Sequence, residues 1–221
     1  MWEFIKTTLI YLIFPPLCPV CREIVDERGE LCEDCAKKIF RLEYLKDFPK
    51  ILEKVFCVTK YREGSQKMLH RLKFEKSLKF LPTLKKILNV AAEKNSELKN
   101  FLSQIDVATF VPLHEERFAE RGYNQTDLIF RDFLTAQNIP IENLLIRSKP
   151  TQKLFNLNAG ERKKVLENAF SAEENIDVHG KKILLVDDIF TTGATTSECA
   201  QVLKNLGAKE IFVLAFSSDD K

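Results

Sequence analysis

Two aspartates, a threonine pair, a glycine and a further threonine stand within one short string, Asp187-Asp188-Ile189-Phe190-Thr191-Thr192-Gly193-Ala194-Thr195. Their order suits a site that holds a phosphate beside a sugar. Threonine hydroxyls and the free N–H groups of a helix start donate to a phosphate, the helix dipole favours its charge, and a glycine lets the backbone come close. The carboxylates cannot bind that anion. They need donors or a cation, and either the hydroxyls of a ribose or a bridging magnesium ion meets the need. A second set of reactive side chains is Cys18-Pro-Val-Cys21 and Cys32-Glu-Asp-Cys35, two Cys-x-x-Cys pairs joined by a short connection that contains Gly29. Two such knuckles converge on one tetrahedral Zn²⁺. The same spacing also serves an iron–sulfur cluster or, in a secreted protein, two disulfides, and nothing in the chain points to secretion. Cys57 and Cys199 lie in apolar settings and read as small core residues.

The elements that must position these groups follow from periodicity. Ile183 to Val186 is a run of aliphatics between Lys181-Lys182 and the aspartates, which predicts a strand buried on both faces and hence a parallel sheet covered by helices. A helix is predicted from Ser197 to Leu206, with Cys199, Val202, Leu203 and Leu206 apolar and Gly207 as its stop. Upstream, Lys54 to Tyr61 and Ile105 to Val111 read as strands, the second running into Pro112-Leu113-His114. Ser65 to Asn95 predicts one or two helices interrupted by Pro82, and Asn124 to Gln137 an amphipathic helix. Leu144 to Arg147 is strand material, Ser148 to Gly160 a loop, and Glu210 to Phe216 the last strand. This alternation is that of an α/β fold with a mainly parallel sheet, whose ligands bind beyond the strand carboxyl ends. Lys37 to Lys50 reads as a connector. The domain boundary is expected near residue 50, with a metal module in residues 1–50 and the site-bearing domain in residues 51–221.

A net charge of +2 over 221 residues excludes a wholly basic nucleic-acid binder, but two local clusters are basic. One runs from Lys60 to Lys86 and includes Lys67, Arg71, Lys73, Lys76, Lys79, Lys85 and Lys86, with Phe74 and Phe80 interleaved. Lysines alternating with aromatics suit a single strand of nucleic acid, and equally the wet face of an amphipathic helix. The other, Ser148 to Lys164, carries Lys149, Lys153, Arg162, Lys163 and Lys164, as a basic loop that closes over a ligand or follows a phosphate backbone. Met1 to Phe14 has Trp2, Ile5, Leu9 and Leu12 at helical spacing. It lacks a basic start and a cleavage site and is too short to span a bilayer, so a helix docked on the core and a cytoplasmic location are expected, with an interfacial anchor as the alternative.

The string from Leu184 to Thr195 resembles the phosphoribosyl diphosphate (PRPP) motif of type I phosphoribosyltransferases; it has neither the Gly-Lys-Ser/Thr of a Walker loop nor the glycines of a dinucleotide fingerprint. Together with the apolar N-terminus and the cysteine pairs, further segments extend the likeness over nearly the whole chain. They are Leu72-Lys73-Phe74, Val111-Pro112-Leu113-His114 with Arg117, Arg121-Gly122-Tyr123-Asn124-Gln125, and Thr151, Leu157, Arg162 and Ala169-Phe170. On these residues the chain resembles the ComF family of competence proteins.

The resemblance implies a type I phosphoribosyltransferase-like domain behind a zinc finger, in a protein associated with incoming single-stranded DNA and the competence machinery of natural transformation. It implies structural Zn²⁺ on Cys18, Cys21, Cys32 and Cys35, and Mg²⁺ with PRPP. Asp187, Asp188 and Arg121 are then the expected catalytic set. Thr191, Thr192, Gly193, Ala194 and Thr195 would hold phosphate, the turn at Pro112 and Leu113 would face the diphosphate, and Thr151, Lys153 and Arg162 would belong to the loop. Lys73, Lys76 and Lys79 are the nucleic-acid candidates. Two positions depart from the family pattern: Leu154 stands where a glutamine is usual, and Val165 where an asparagine precedes the Ala-Phe pair. Among His70, His114 and His179 only His114 falls at the site, and no general base for an acceptor is identifiable. Phosphoribosyl transfer to an unnamed acceptor, single-strand binding without turnover, and PRPP sensing therefore all remain open.

Overall fold

The computed structural model describes residues 11, 13–150 and 159–219. Its centre is a five-stranded sheet of β1 (Phe40–Tyr44), β2 (Lys54–Lys60), β3 (Val107–Phe110), β6 (Lys182–Phe190) and β7 (Glu210–Ser218), in the order β1-β2-β7-β6-β3. All neighbours are parallel except β1, which runs antiparallel to β2 at one edge. A two-stranded ribbon, β4 (Leu145–Arg147) with β5 (Phe170–Ala172), stands apart.

Branched and aromatic side chains bury both faces of β2, β6 and β7, as a covered parallel sheet requires. On one face Leu184 and Val186 of β6 pack with Met68, Leu69 and Leu72 of α2 (Glu63–Phe74), with α3 (Leu81–Lys94) and α4 (Ser96–Leu102), and with Ile129, Phe130 and Phe133 of α6 (Gln125–Ala136). On the other, Ile183 and Leu185 pack with Cys199, Ala200 and Leu203 of α8 (Ala194–Asn205) and with Leu145 and Phe170 of the ribbon. The shorter α1 (Glu33–Ile39) belongs to the cysteine module, α5 (Glu115–Arg121) follows β3, and α7 (Ala159–Leu166) precedes β5.

Several boundaries differ from the sequence expectation. β6 continues through both aspartates to Phe190, because it stays paired with β7 as far as Ser218. The helix after it starts at Ala194 rather than Ser197, so Gly193 is its N-cap and Thr195 and Thr196 lie in its first turn; Leu206 is a 44% exposed C-cap and not a core residue. Pro82 opens α3 instead of interrupting a helix, since its missing N–H falls among donors that a first turn leaves unpaired anyway. Residues 159–164 are helical in α7, outside any loop. Within the expected connector the chain passes straight from α1 into β1, so residues 40–44 join the main sheet. The expected N-terminal helix lies almost wholly outside the described residues, and among these no helix is long and apolar enough to cross a membrane.

The cysteine module is fastened to the helical face. A Cβ at Gly64, near the start of α2, would come within 2.4 Å of Val20 and 2.7 Å of Ile39, so only a glycine admits this approach. Lys86 of α3 bonds Glu27 at 2.6 Å and Glu30 at 2.7 Å.

Candidate functional site

A cavity of about 580 Å³ opens at the carboxyl edge of the sheet. The exits of β2, β3, β6 and β7 contribute Tyr61, the 111–114 segment, the 187–196 string and Asp219, and the tip of α2 adds Lys73 and Phe74. A ligand of nucleotide size fits such a volume.

The acids occupy its floor, each in a different setting. Asp188 is 4% exposed, and two donors converge on its Oδ2: Lys73 Nζ at 2.7 Å and Gln125 Nε2 at 2.6 Å. Arg121, the last residue of α5, donates in turn to Gln125 Oε1. Tyr123 bonds the carbonyl of Leu72 at 2.7 Å and Asn124 bonds that of Val111 at 3.1 Å, so the turn from α5 into α6 is tied both to the tip of α2 and to the exit of β3. Asp187 accepts the backbone N–H of Asp188 at 2.8 Å and lies among Arg147 of β4 and Cys199 of α8. Burial, then the charge of Asp188, pushes its carboxyl up to about 8, against a smaller opposing pull from Lys73. At neutral pH the pair therefore carries fewer than two negative charges.

Beside the acids, Thr191 to Thr196 wrap the cavity wall where β6 passes into α8. Gly193 has φ of 72°, and a Cβ there would sit 2.8 Å from both Phe190 and Pro49, so glycine is required on two counts. Ala194 and Thr195 line the cavity and open a helix of 12 residues, so their N–H groups have no earlier turn to bond. Pro112 and Leu113 also line it; Pro112 has no N–H, which leaves donation from this segment to Leu113 and His114. The His114 Nδ1 accepts from the N–H of Glu116 at 3.3 Å and caps α5.

Arg121 and Arg117 both line the cavity, Arg117 paired with Glu120 at 3.1 Å. Thr151 and Lys153 fall outside the described residues, and Arg162 sits on α7. The basic cluster on α2 and α3 divides. Lys73 points into the cavity, Lys85 pairs with Asp132 at 2.5 Å, and Lys86 holds the cysteine module. Lys76 and Lys79 are exposed, Lys79 lying 5.0 Å from the ring of Phe80, itself a core residue. Phe74, at the cavity mouth, is 55% exposed. Sequence reasoning misses Gln125 and Arg147 as site residues. The glutamine's only signal is its place in the Arg-Gly-Tyr-Asn-Gln string, and the arginine looks like the end of a short strand.

Away from this cavity, the sulfurs of Cys18, Cys21, Cys32 and Cys35 lie within 4.8 Å of one another and none is in a disulfide. Zinc–thiolate bonds of about 2.3 Å place tetrahedral sulfurs ~3.8 Å apart, so the four thiols fit one zinc ion. The knuckle is closed by the Cys18 N–H on Glu23 O at 2.7 Å and the Arg22 N–H on Cys18 O at 2.9 Å, with Arg22 at φ of 72°.

Comparison with known proteins covers both regions of the chain. The double zinc ribbon domain model matches residues 9–45, and the phosphoribosyl transferase domain model matches residues 151–219. The chain is 30% identical over 200 residues to competence protein F of Haemophilus influenzae, covering 90% of this chain and 82% of that one. To the DNA utilization protein YhgH of Salmonella typhimurium it is 29% identical over 204 residues, covering 89% and 88%. A shorter likeness, 56% over 41 residues, is to the ribose-phosphate pyrophosphokinase of Pyrococcus abyssi, covering 19% of this chain and 14% of that enzyme.

Proposed function

Since the chain belongs to the family of competence protein F, we propose that it binds PRPP, with magnesium carried on the ligand, in the cavity at the sheet's carboxyl edge, and that it serves the handling of single-stranded DNA during natural transformation. The observation that carries the ligand assignment is the meeting, in one cavity, of a helix start built for an anion and a pair of carboxylates held beside it. A phosphoribosyl group offers a partner to each, a phosphate at one end of a sugar and a diol at the other. In this reading Thr191 to Thr195 hold the 5-phosphate, Asp187 and Asp188 accept from the ribose hydroxyls, and Leu113 faces the diphosphate.

Loss of diphosphate from PRPP leaves positive charge on the ribose and negative charge on the departing oxygens, so what the protein contributes is position and electrostatics. The acid pair stabilises the sugar side. Arg121, with Arg117 at the rim, answers the leaving oxygens. Magnesium carried on the ligand would supply charge neutralisation at the diphosphate. The four-cysteine module, placed in residues 1–50, holds structural zinc, and residues 51–221 carry the site. The exposed Lys76 and Lys79, near the aromatic Phe74, favour a single-strand contact beside the cavity.

Titrating the zinc-loaded protein with PRPP, with and without Mg²⁺, while assaying diphosphate release against a panel of nucleobases, tests this reading. Saturable binding with release supports transfer, and binding without release supports sensing. Absence of any PRPP binding would sink the ligand assignment.

A further inference from the structure

By its spacing Lys73 belongs to a basic surface, yet its side chain is only 17% exposed and its ammonium lies 2.7 Å from an almost fully buried carboxylate. The residue reaches this place because Met68, Leu69 and Leu72 turn the inner side of α2 onto the sheet, so a side chain one position beyond Leu72 runs along the core margin and delivers its head to the end of β6. It is not free to wander. The Tyr123 bond to Leu72 pins the tip of α2, and the Arg121–Gln125–Asp188 chain holds the same carboxylate oxygen. Lys73 and Gln125 both take Oδ2, which leaves Oδ1 as the oxygen of Asp188 engaged by neither.

A divalent cation seeking this acid pair would meet a cation already in place. One carboxylate oxygen of Asp188 is taken up by an ammonium and an amide, and the nearby charge repels a second positive ion. A neutral diol meets no such obstacle, because it needs only an accepting oxygen held still.

We infer that Lys73 is the resident cation of the acid pair, a positioning residue that holds Asp188 with one oxygen turned to the ligand and keeps divalent metal off the protein's carboxylates. This deepens the PRPP reading on which it rests: magnesium then engages the ligand's oxygens and not Asp187 or Asp188.

Mn²⁺ alone, followed by electron paramagnetic resonance on zinc-loaded protein, gives a readout that needs no phosphoribosyl ligand. The wild-type protein is expected to take up little Mn²⁺. Lys73→Met should bind Mn²⁺ at least tenfold more tightly, the gain should vanish in the Lys73→Met, Asp188→Asn double variant, and Lys73→Arg should behave as wild type. Should Lys73→Met fail to fold, Lys73→Gln keeps a donor without the charge and carries the same expectation. Equal Mn²⁺ uptake by wild-type protein and the neutral variants, or Asp188-dependent uptake by wild-type protein itself, would overturn the assignment. In parallel, PRPP affinity of Lys73→Met should fall about tenfold at low Mg²⁺ and recover as Mg²⁺ is raised. If wild-type protein binds no PRPP the functional reading fails, while the Mn²⁺ comparison still decides the role of Lys73.

Discussion

Asp188 takes two donors on one carboxylate oxygen, and these surroundings set two expectations at once. Its change to Asn should weaken PRPP binding by about 1.5–3 kcal/mol, the worth of a charge-assisted hydrogen bond. It also leaves the half-buried Lys73 ammonium without its counter-ion, so the melting temperature should fall as well. Adding Lys73→Met should restore melting without restoring affinity; recovery of both would show that the acid acts only through the fold. Asp187 has the opposite character. Its carboxyl is raised from 3.8 to about 8, so the folded chain holds a proton there that the unfolded chain has released, and stability falls as pH rises through that window. Asp187→Asn should therefore melt above the wild type by a margin that grows from pH 5 to pH 8. A margin that stays constant across that range would mean the carboxyl titrates normally.

At the scale of elements, α2 serves both sites. Its first turn is clamped by the cysteine module at Gly64, its last residues are Lys73 and Phe74, and the helix between Gly64 and these residues separates the clamp from the cavity by about 14 Å. Gly64→Ala must push Val20 and Ile39 aside, and the helix it displaces carries Lys73 with it. Loss of PRPP affinity together with a lower melting temperature is expected by calorimetry; unchanged affinity in a variant with disturbed cysteine-module packing would show that α2 does not couple the two. The exposed lysines between α2 and α3 belong to a different question. Neutralising Lys76 and Lys79 should lower single-strand affinity and flatten its salt dependence by about 0.7 in slope for each phosphate that is no longer neutralised, while PRPP binding persists. A salt slope identical to that of the wild type would make these residues a solvated surface and move any nucleic-acid binding elsewhere on the protein.

For the whole molecule, one zinc per chain is expected on metal analysis, lost in Cys32→Ser, and its removal by a chelator should lower stability because the four thiols have no disulfide to hold the module closed. Metal content near zero in freshly purified protein would remove the claim. The cysteine pairs and the Asp-Asp to Thr string are legible from sequence because each is a contiguous run whose chemistry follows from neighbours a few residues away. The parallel sheet is legible for a similar reason, since strands covered on both faces read as unbroken aliphatic runs such as Ile183 to Val186. Boundaries are less so: whether β6 stops before or after its aspartates depends on β7, and whether residues 40–44 form a strand depends on β2. The inner constellation is legible only as separate residue strings, without the contacts that join them. Gln125 reaches Asp188 across 63 residues of sequence, and Lys73 arrives from a helix whose surface-like spacing of charges gives no sign that one of them turns inward. The chain's local patterns thus name the groups available for a phosphate, a sugar and a metal. That a lysine is committed to the acids themselves follows only from the fold, because a carboxylate's partners are set by which helix tips the sheet order brings to the end of its strand, and no local pattern encodes that.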